Sequence, residues 1–368
     1  MIRVFVVDDS AFARRAITRV LRAEPAITVV GEAASGPEAL LRVPSAHPDL
    51  VTLDLDMPGM NGLTVLRAML GRDPGLRVLM LSAHTRDGAE ATVEALAAGA
   101  VDFLDKSRFG LMEFEGLGRE LVARVKALGG RSLNGASAGG NGRHVPGEPG
   151  HALPISGSRG ALGPLPPSPA HVAADLCVLG ASTGGPAAIQ QLLEVLPADF
   201  PLPVAVVQHM PPGFTGPFAR RLDQRCRLRV REAVEGDRLE RGRVFIAPAG
   251  SQMRLNANLG VMLSPETGQA RHVPSVDVLM LSAARVRPGR VLGILLTGMG
   301  DDGADGMAAI RAQGGVTLAE SEATCVVYGM PRAAYERGGV THLLALPEIV
   351  EWLSDVKAGS LAESSARP

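Results

Sequence analysis

The stretch RVFVVDD, residues 3–9, is an apolar run that ends in two adjacent acids. Similar apolar runs recur at 27–30, 50–55, 77–82 and 101–104, with helical patterns between them. Continuous apolar strands that alternate with amphipathic helices are typical of a parallel sheet covered by helices on both faces. We therefore predict a flavodoxin-like domain of five parallel strands, with any functional site at the carboxyl ends of the strands.

A stretch rich in glycine and proline divides the chain. Residues 129–171 contain 11 Gly and 7 Pro in 43 positions and show no apolar periodicity. Such a segment cannot bury enough apolar surface to offset the entropy lost on ordering. We therefore predict one folded domain over 1–125, a flexible linker over 126–171, a second folded domain over 172–357 and a disordered tail over 358–368.

The second domain repeats the α/β pattern. The apolar runs DLCVLG (175–180), PVAVVQ (203–208) and VLGILLTG (291–298) are each followed by a turn and a helical pattern. Residues 241–266 instead show the alternation and turn residues of hairpins. We predict a doubly wound α/β domain with a β-hairpin insertion, although the order of its strands does not follow from the sequence.

Composition limits the possible environments and partners. Among 368 residues, 46% are hydrophobic and 20% are charged, and the net charge of −1 offers no electrostatic basis for binding nucleic acid or an anionic membrane. No secretory signal pattern and no apolar run long enough to span a bilayer is present. The three cysteines (Cys177, Cys226 and Cys325) lack metal-ligand spacing and suit a reducing compartment. We expect a soluble cytoplasmic protein without direct membrane insertion.

Polar and charged residues gather at the predicted strand ends of the first domain. Asp8 and Asp9 follow the first strand, Asp54 ends the third, Ser82 ends the fourth and Lys106 follows the fifth. Carboxylates that share a crevice repel each other unless a cation such as Mg2+ neutralises them, and a lysine suits an incoming phosphoryl group. This pattern predicts phosphoryl transfer to a carboxylate. The alternative is that these acids are solvated helix caps.

The motifs VVDDSAFAR, LDLDMPGMNGL, MLSAHT and DFLDKS together resemble the receiver domain of bacterial response regulators, over about residues 1–125. The resemblance implies that Asp54 is the phosphoacceptor and that a histidine kinase is the phosphodonor. It also implies that Asp9, Asp54 and the backbone carbonyl of Asp56 bind Mg2+, with Asp8 acting through water.

The same resemblance assigns three further residues. It implies that Ser82 and Lys106 contact the phosphoryl group, and that Phe103 is the switch aromatic. Ser107 departs from the family pattern, because receivers usually carry proline after the lysine. We therefore expect the loop after Lys106 to differ from that of other receivers.

The second domain carries a candidate nucleophile, Ser182, in the glycine-rich turn GASTGGP (180–186). A nucleophilic serine needs a base, and the base needs an orienting acid. His209 follows the next strand, and Asp301 and Asp302 follow the later strand VLGILLTG. The order of serine, histidine and acid differs from the serine, acid, histidine order of lipase-type hydrolases, although the letters G-x-S-x-G match their nucleophile elbow.

Other residues compete for these roles. His272 and His342 are alternative bases. His342 together with Asp302 would restore the lipase order, but His342 begins a predicted strand and so belongs to the opposite edge of the sheet. The stretch TGMGDDGADG has a simpler interpretation as an acidic turn and helix cap, and it fails the calcium-loop template.

The motifs GASTGGP, QHMPPGFT and LLTGMGDDGADGM, in this order behind a receiver and a linker, resemble the protein-glutamate methylesterases of bacterial chemotaxis, the CheB family. The resemblance implies Ser182 as nucleophile, His209 as general base and Asp302 as orienting acid. Asp302 is preferred to its neighbour by alignment with the family pattern T-G-M-G-x-D-G. Thr183 is expected to form a hydrogen bond near the histidine, and the Met299 backbone N–H is the expected oxyanion donor.

The implied function is phosphorylation-regulated removal of γ-glutamyl methyl esters, and of glutamine amides, on methyl-accepting chemoreceptors. The esterase chemistry needs no cofactor, and Mg2+ belongs to the receiver. Two alternatives remain: a transcriptional response regulator whose second domain binds DNA, and a degenerate esterase that acts as a binding module. The first requires a basic recognition helix, and no stretch after residue 172 has that pattern.

Overall fold

The computed structural model describes residues 1–82, 86–106, 114–130, 174–265 and 271–356. Ser107, the predicted linker from residue 131 onward and the predicted tail lie outside these ranges. Within them, no helix is both long enough and apolar enough to cross a bilayer.

The first sheet has five parallel strands in the order β2-β1-β3-β4-β5, as the sequence predicted. Strands β3 and β4 are buried along their whole length because helices cover both faces of the sheet. The elements are β1 Ile2–Val7, α1 Ala11–Arg22, β2 Ile27–Ala33, α2 Gly36–Ala46, β3 Leu50–Asp54, α3 Gly62–Arg72, β4 Arg77–Ser82, α4 Arg86–Ala97, β5 Asp102–Asp105 and α5 Phe114–Gly129.

Local side chains fix where the first helices begin. The side chains of Ser10, Ser35 and Asn61 precede α1, α2 and α3, and each accepts a hydrogen bond from a backbone N–H in the first turn. Such caps satisfy donors that the helix itself leaves unpaired. The loops between the strands and these helices therefore end at defined positions above the sheet.

The second sheet has seven parallel strands in the order β14-β13-β12-β6-β7-β9-β8. The elements are β6 Leu176–Ala181, α6 Gly185–Val195, β7 Val204–Gln208, α7 Thr215–Arg225, β8 Arg229–Glu232, β9 Arg243–Ile246, β10 Ser251–Leu255, β11 Val261–Pro265, α8 Val276–Val286, β12 Val291–Leu295, α9 Ala304–Ala312, β13 Val316–Glu320, α10 Met330–Glu336, β14 His342–Leu344 and α11 Leu346–Ser354. This is the predicted doubly wound α/β architecture.

The predicted hairpin insertion is shorter than the stretch that suggested it. Strands β10 and β11 pair antiparallel from Ser251 to Pro265. Strand β9 comes from the same stretch but joins the main sheet parallel to β7. A buried strand and a hairpin strand have the same short apolar pattern in sequence. Only the neighbouring strand with which each one pairs distinguishes them.

Strand order brings the candidate site residues together. Strand β6 lies between β7 and β12, and the chain fills the sheet on one side of β6 before it returns to the other. Ligand sites of open α/β sheets form at such a switch point, beyond the carboxyl ends of the strands. The loops after β6, β7 and β12 carry Ser182, His209 and Asp302, and they meet there.

The two domains are in contact. The ring of Phe103 on β5 lies 4.7 Å, centroid to centroid, from the ring of Phe214, which directly precedes α7. At the rim, the Arg220 guanidinium lies 2.9 Å from the Glu90 carboxylate on α4. An apolar contact and an exposed ion pair thus join the receiver to the second domain.

Candidate active site and candidate phosphoacceptor site

Ser182 lies in a tight turn between β6 and α6. Its carbonyl accepts the N–H of Gly185 at 2.8 Å, and its own N–H donates to the carbonyl of Thr297 at 3.0 Å. Gly184 has a φ of +79°, and a Cβ added there would lie 2.6 Å from the side chain of Val326. Glycine is required at 184 for both reasons. The turn leaves Ser182 half-buried at the carboxyl edge of the sheet.

His209 and Asp302 form a hydrogen-bonded pair. His209 Nε2 lies 2.7 Å from Asp302 Oδ2, and the ring nitrogen donates because a carboxylate only accepts. Asp302 Oδ1 accepts the Ser275 hydroxyl at 2.8 Å, and Oδ2 accepts the Val276 N–H at 2.7 Å. Both donors belong to the start of α8, where unpaired N–H groups and the helix dipole favour a negative charge.

These contacts keep Asp302 ionised. Burial acts to raise the pKa of the Asp302 carboxyl, but the hydrogen bond and charge of His209, followed by the Asp277 N–H and the Ser275 hydroxyl, hold that pKa below its usual range. An ionised acid at Nε2 orients the imidazole and leaves Nδ1 to exchange a proton. His209 Nδ1 is buried and has no hydrogen-bond partner among the described residues.

The competing acid and one competing base lie elsewhere. Asp301 is half-exposed and forms an ion pair with Arg337 at 2.5 Å. His342 begins β14, the edge strand, which two strands separate from β6. The structure therefore brings Asp302 to His209 and leaves Asp301 and His342 outside the site.

His272, the other competing base, packs on His209. The two rings are stacked, with centroids 4.2 Å apart and planes within 5° of parallel. Burial lowers the pKa of His272, and the charge of His209 adds to that effect. His272 thus covers one face of the imidazole, whereas the contact with Asp302 is made at its edge.

A cavity of about 610 Å³ lies over these residues. The second domain contributes Ser182, Thr183, His209, Arg271, His272 and Met299 to its lining. The receiver contributes Asp105, Glu120 and Arg124. Because both domains contribute to its lining, the cavity lies between them.

A Cβ added to Gly298 would lie 2.9 Å from the Ser182 side chain, so glycine at 298 lets the loop that carries Met299 approach the serine.

Sequence reasoning missed several polar residues that support the turn. Gln208 and Glu320 end β7 and β13, and both are almost fully buried. Glu320 accepts the Thr297 N–H at 2.9 Å, and the Thr297 hydroxyl donates to the carbonyl of Thr183 at 2.9 Å. Burial raises the pKa of Glu320. The available signal was a polar residue at the carboxyl end of an apolar strand, where sites of parallel sheets form.

The three acids of the receiver lie close together at the carboxyl ends of the strands, as expected for a doubly wound sheet. Carboxylate oxygens of Asp8, Asp9 and Asp54 lie within 4.8 Å of one another. Lys106 Nζ lies 2.5 Å from Asp54 Oδ1 and 3.8 Å from Asp8 Oδ2. The N–H of Asp56 donates to Asp54 Oδ1 at 3.2 Å. Lys106 thus contacts two of the three acids.

The cluster has the donors that a hard divalent cation requires. Asp8 Oδ2 and Asp54 Oδ2 are buried and accept no hydrogen bond within the described part of the chain. Burial raises the pKa of Asp54 to about 6 against the opposing effect of Lys106, and burial also raises the pKa of Asp8. Mg2+ fits this site because it binds oxygen ligands and because its charge offsets the cost of burying several carboxylates together.

Two other predicted receiver residues are buried. The hydroxyls of Ser82 and Thr92 lie 2.7 Å apart, which places Ser82 at the carboxyl end of β4 beside α4. Phe103, the expected switch aromatic, is 3% exposed and contacts Phe214 of the second domain. Its ring therefore belongs to the domain contact.

Comparisons with known proteins identify both halves of the chain. The family described as CheB methylesterase matches residues 177–353, and the response regulator receiver domain matches residues 4–110. A protein-glutamate methylesterase/protein-glutamine glutaminase of Symbiobacterium thermophilum is 44% identical, with 95% of each chain covered. One of Moorella thermoacetica is 41% identical over 95% of this chain and 96% of its own. The solved CheB methylesterase catalytic domain of Thermotoga maritima is 38% identical, with 50% of this chain and 100% of that chain covered and a TM-score of 0.48. From the full-length likeness to these relatives, the chain belongs to the CheB family of protein-glutamate methylesterases/protein-glutamine glutaminases.

Proposed function

We propose that this protein is a phosphorylation-regulated serine hydrolase. Its substrates are the γ-methyl esters of glutamate side chains, and the amides of glutamine side chains, on the cytoplasmic helices of chemoreceptors. The observation that carries the proposal is the 2.7 Å contact between His209 and Asp302 beside Ser182 in one cavity. The relatives that cover nearly the whole chain carry the names of both reactions.

In the proposed mechanism, Ser182 Oγ attacks the acyl carbon of the ester while His209 Nδ1 takes the hydroxyl proton. Asp302 stabilises the imidazolium that forms. The Met299 N–H donates to the oxyanion, and His209 returns the proton to the departing methanol or ammonia. Water, deprotonated by His209, then attacks the acyl-enzyme, and His209 returns this proton to Ser182 Oγ as glutamate leaves. This chemistry requires no cofactor.

The receiver is proposed to accept a phosphoryl group on Asp54 from a histidine kinase. Asp9, Asp54 and the backbone carbonyl of Asp56 would hold Mg2+, with Asp8 acting through water. The metal supplies positive charge that offsets repulsion between the acids and the phosphodonor. Lys106 and Ser82 would contact the phosphoryl oxygens.

The domain contact supports a regulatory role for the receiver. Asp105, Glu120 and Arg124 line the cavity that Ser182 also lines, which supports the proposal that a receiver in this position limits access to the serine. We propose that phosphorylation of Asp54 weakens this contact and raises activity. A tenfold change in the accessible fraction requires only about 1.4 kcal/mol. The proposed units are the receiver, 1–125, and the methylesterase, 172–357; each sheet stays within one range, and α5 continues past the first boundary to Gly129.

Release of methanol from a receptor tests the proposal. Membranes that contain a chemoreceptor carrying radiolabelled methyl esters are incubated with the full chain, with and without acetyl phosphate and Mg2+. We expect labelled methanol from the wild type, faster release with acetyl phosphate, and none above background from Ser182→Ala. Absence of release from the phosphorylated wild type would show that the receptor ester is not its substrate.

A further inference from the structure

Gln208 connects the main chains of the two residues that carry the proposed chemistry. It ends β7 and pairs with Ala181 at the end of β6. Its Nε2 donates to the carbonyl of Ser182 at 2.8 Å and to the carbonyl of His209 at 3.1 Å. Both partners are acceptors, which assigns the nitrogen of the amide to this position. One side chain thus spans the ends of two strands.

The hydrogen-bonding needs of the fold account for only part of this glutamine's placement. The Ser182 carbonyl already accepts the N–H of Gly185, so it is satisfied without Gln208, whereas among the described residues only Gln208 donates to the His209 carbonyl. Gln208 is 2% exposed, and its Oε1 accepts no hydrogen bond from any described residue. An unpaired buried amide oxygen costs about 1–3 kcal/mol. An apolar side chain of similar size would avoid that cost, although it would leave the His209 carbonyl without its donor.

We propose that Gln208 is a positioning residue that sets the separation between Ser182 and His209. Its two hydrogen bonds tie the nucleophile turn to the segment that carries the base, so that Oγ and Nδ1 come within proton-transfer distance when substrate binds. Gln208 does not line the cavity, and it therefore acts on the chemical step and not on substrate binding. The proposal rests on the hydrolase function proposed above.

The test compares Gln208→Leu and Gln208→Met with the wild type as full-length, acetyl phosphate-treated proteins. For methanol release from methylated receptor, we expect kcat to fall about 10- to 100-fold, because misplaced reacting groups lower the rate of the chemical step. We expect KM to stay within about twofold of the wild-type value. The Tm should change little, because each substitution removes the unpaired oxygen and also the donor to the His209 carbonyl. The rate at which phenylmethylsulfonyl fluoride modifies Ser182 should fall with kcat.

Thr317→Val is the matched control. Thr317 is a buried polar residue on β13 whose hydroxyl contacts Thr341, away from the nucleophile turn. We expect its kcat to stay within about twofold of the wild type even where Tm falls. This separates lost positioning from a general loss of stability.

Three results would overturn the proposal: an unchanged kcat, a raised KM with unchanged kcat, or a loss of kcat that follows a loss of Tm in both Gln208 variants. If the wild type itself releases no methanol, the proposed substrate is wrong. In that case the rate at which phenylmethylsulfonyl fluoride modifies Ser182 still tests the role of Gln208. A rate in the Gln208 variants equal to that of the wild type would contradict the positioning role.

Discussion

Asp301 and Asp302 are neighbours in the chain, yet they have opposite surroundings. Asp302 is 7% exposed, and its carboxylate accepts hydrogen bonds from His209 and from the start of α8. Asp301 has a half-exposed side chain that forms an ion pair with Arg337. The positive φ angles of Gly300 and Gly303 on either side accommodate the tight turn that separates the two carboxylates.

This difference predicts unequal effects of two identical substitutions. Asp302→Asn removes the charge that stabilises the imidazolium, and we expect kcat to fall about 10⁴-fold, as for the buried acid of other serine hydrolases. Asp301→Asn should stay within about twofold, because an exposed ion pair contributes little. Methanol release measures both. A larger loss from Asp301→Asn would transfer the role of orienting acid to that residue.

Two of the three candidate histidines, His209 and His342, provide a test of the base. His209→Gln should lower kcat by several orders of magnitude, since triad members act as a unit. His342→Gln is the control, because His342 lies on the edge strand β14 and does not line the cavity. Initial rates of methanol release at saturating receptor distinguish the two variants. Loss of activity in the His342 variant with retention in the His209 variant would contradict the assignment.

The receiver site predicts metal-dependent phosphorylation of Asp54. Radiolabelled acetyl phosphate with Mg2+ should label the wild type, and EDTA should abolish the label because the three acids then repel the donor. Asp54→Asn should remain unlabelled. Asp56→Asn is the matched control, since it keeps the backbone carbonyl proposed as a ligand and should still be labelled. Label in the Asp54 variant would place the acceptor on another residue.

Asp277 predicts a pH-dependent stability change. Burial, with a further contribution from the charge of Asp302, raises the pKa of Asp277 from 3.8 to about 6. Between these pH values the folded state binds more protons than the unfolded state, so this residue's contribution to the free energy of unfolding falls as pH rises. Asn at 277 can still accept the Gly306 N–H, which Asp277 accepts at 2.7 Å. Asp277→Asn should therefore raise Tm above about pH 6, with the gain vanishing below about pH 4.

Thermal unfolding across this pH range measures the effect. Asp305→Asn is the control, because Asp305 is exposed and paired with Arg337. The difference in Tm between this variant and the wild type should not increase between about pH 4 and pH 6. A gain of equal size at every pH in the Asp277 variant would mean that ionisation of this carboxyl is not its cause.

The domain contact predicts a charge-swap result. Glu90→Arg faces Arg220 with a second cation and weakens the contact at its rim. Exposed ion pairs contribute about 0.2–1 kcal/mol, so basal methanol release without acetyl phosphate should rise by no more than about fivefold. Adding Arg220→Glu restores opposite charges and should return release to the wild-type rate. A double variant as active as the single variant would show that this ion pair does not restrain the serine.

Local pattern was sufficient to predict much of the fold and of the site. The five receiver strands, the three apolar strands before the site loops and the candidate residues at their carboxyl ends all follow from hydrophobic periodicity. That periodicity can be recognised within about 10 residues of chain, because one strand or helix buries one face over that length. Family motifs added the preference for Asp302 over its neighbour.

Other features depend on which segments meet in space. The order of strands around β6, the assignment of β9 to the main sheet and the contact between Phe103 and Phe214 have no local signature. Gln208 and Glu320 are marked only as polar residues at strand ends, and their hydrogen-bond partners behind the nucleophile turn do not follow from that pattern. Each arises from pairing or packing between segments far apart in the chain. A polar residue at a strand end has the same local pattern whether it faces water, a metal or a catalytic turn, and its neighbours in the folded protein decide among these.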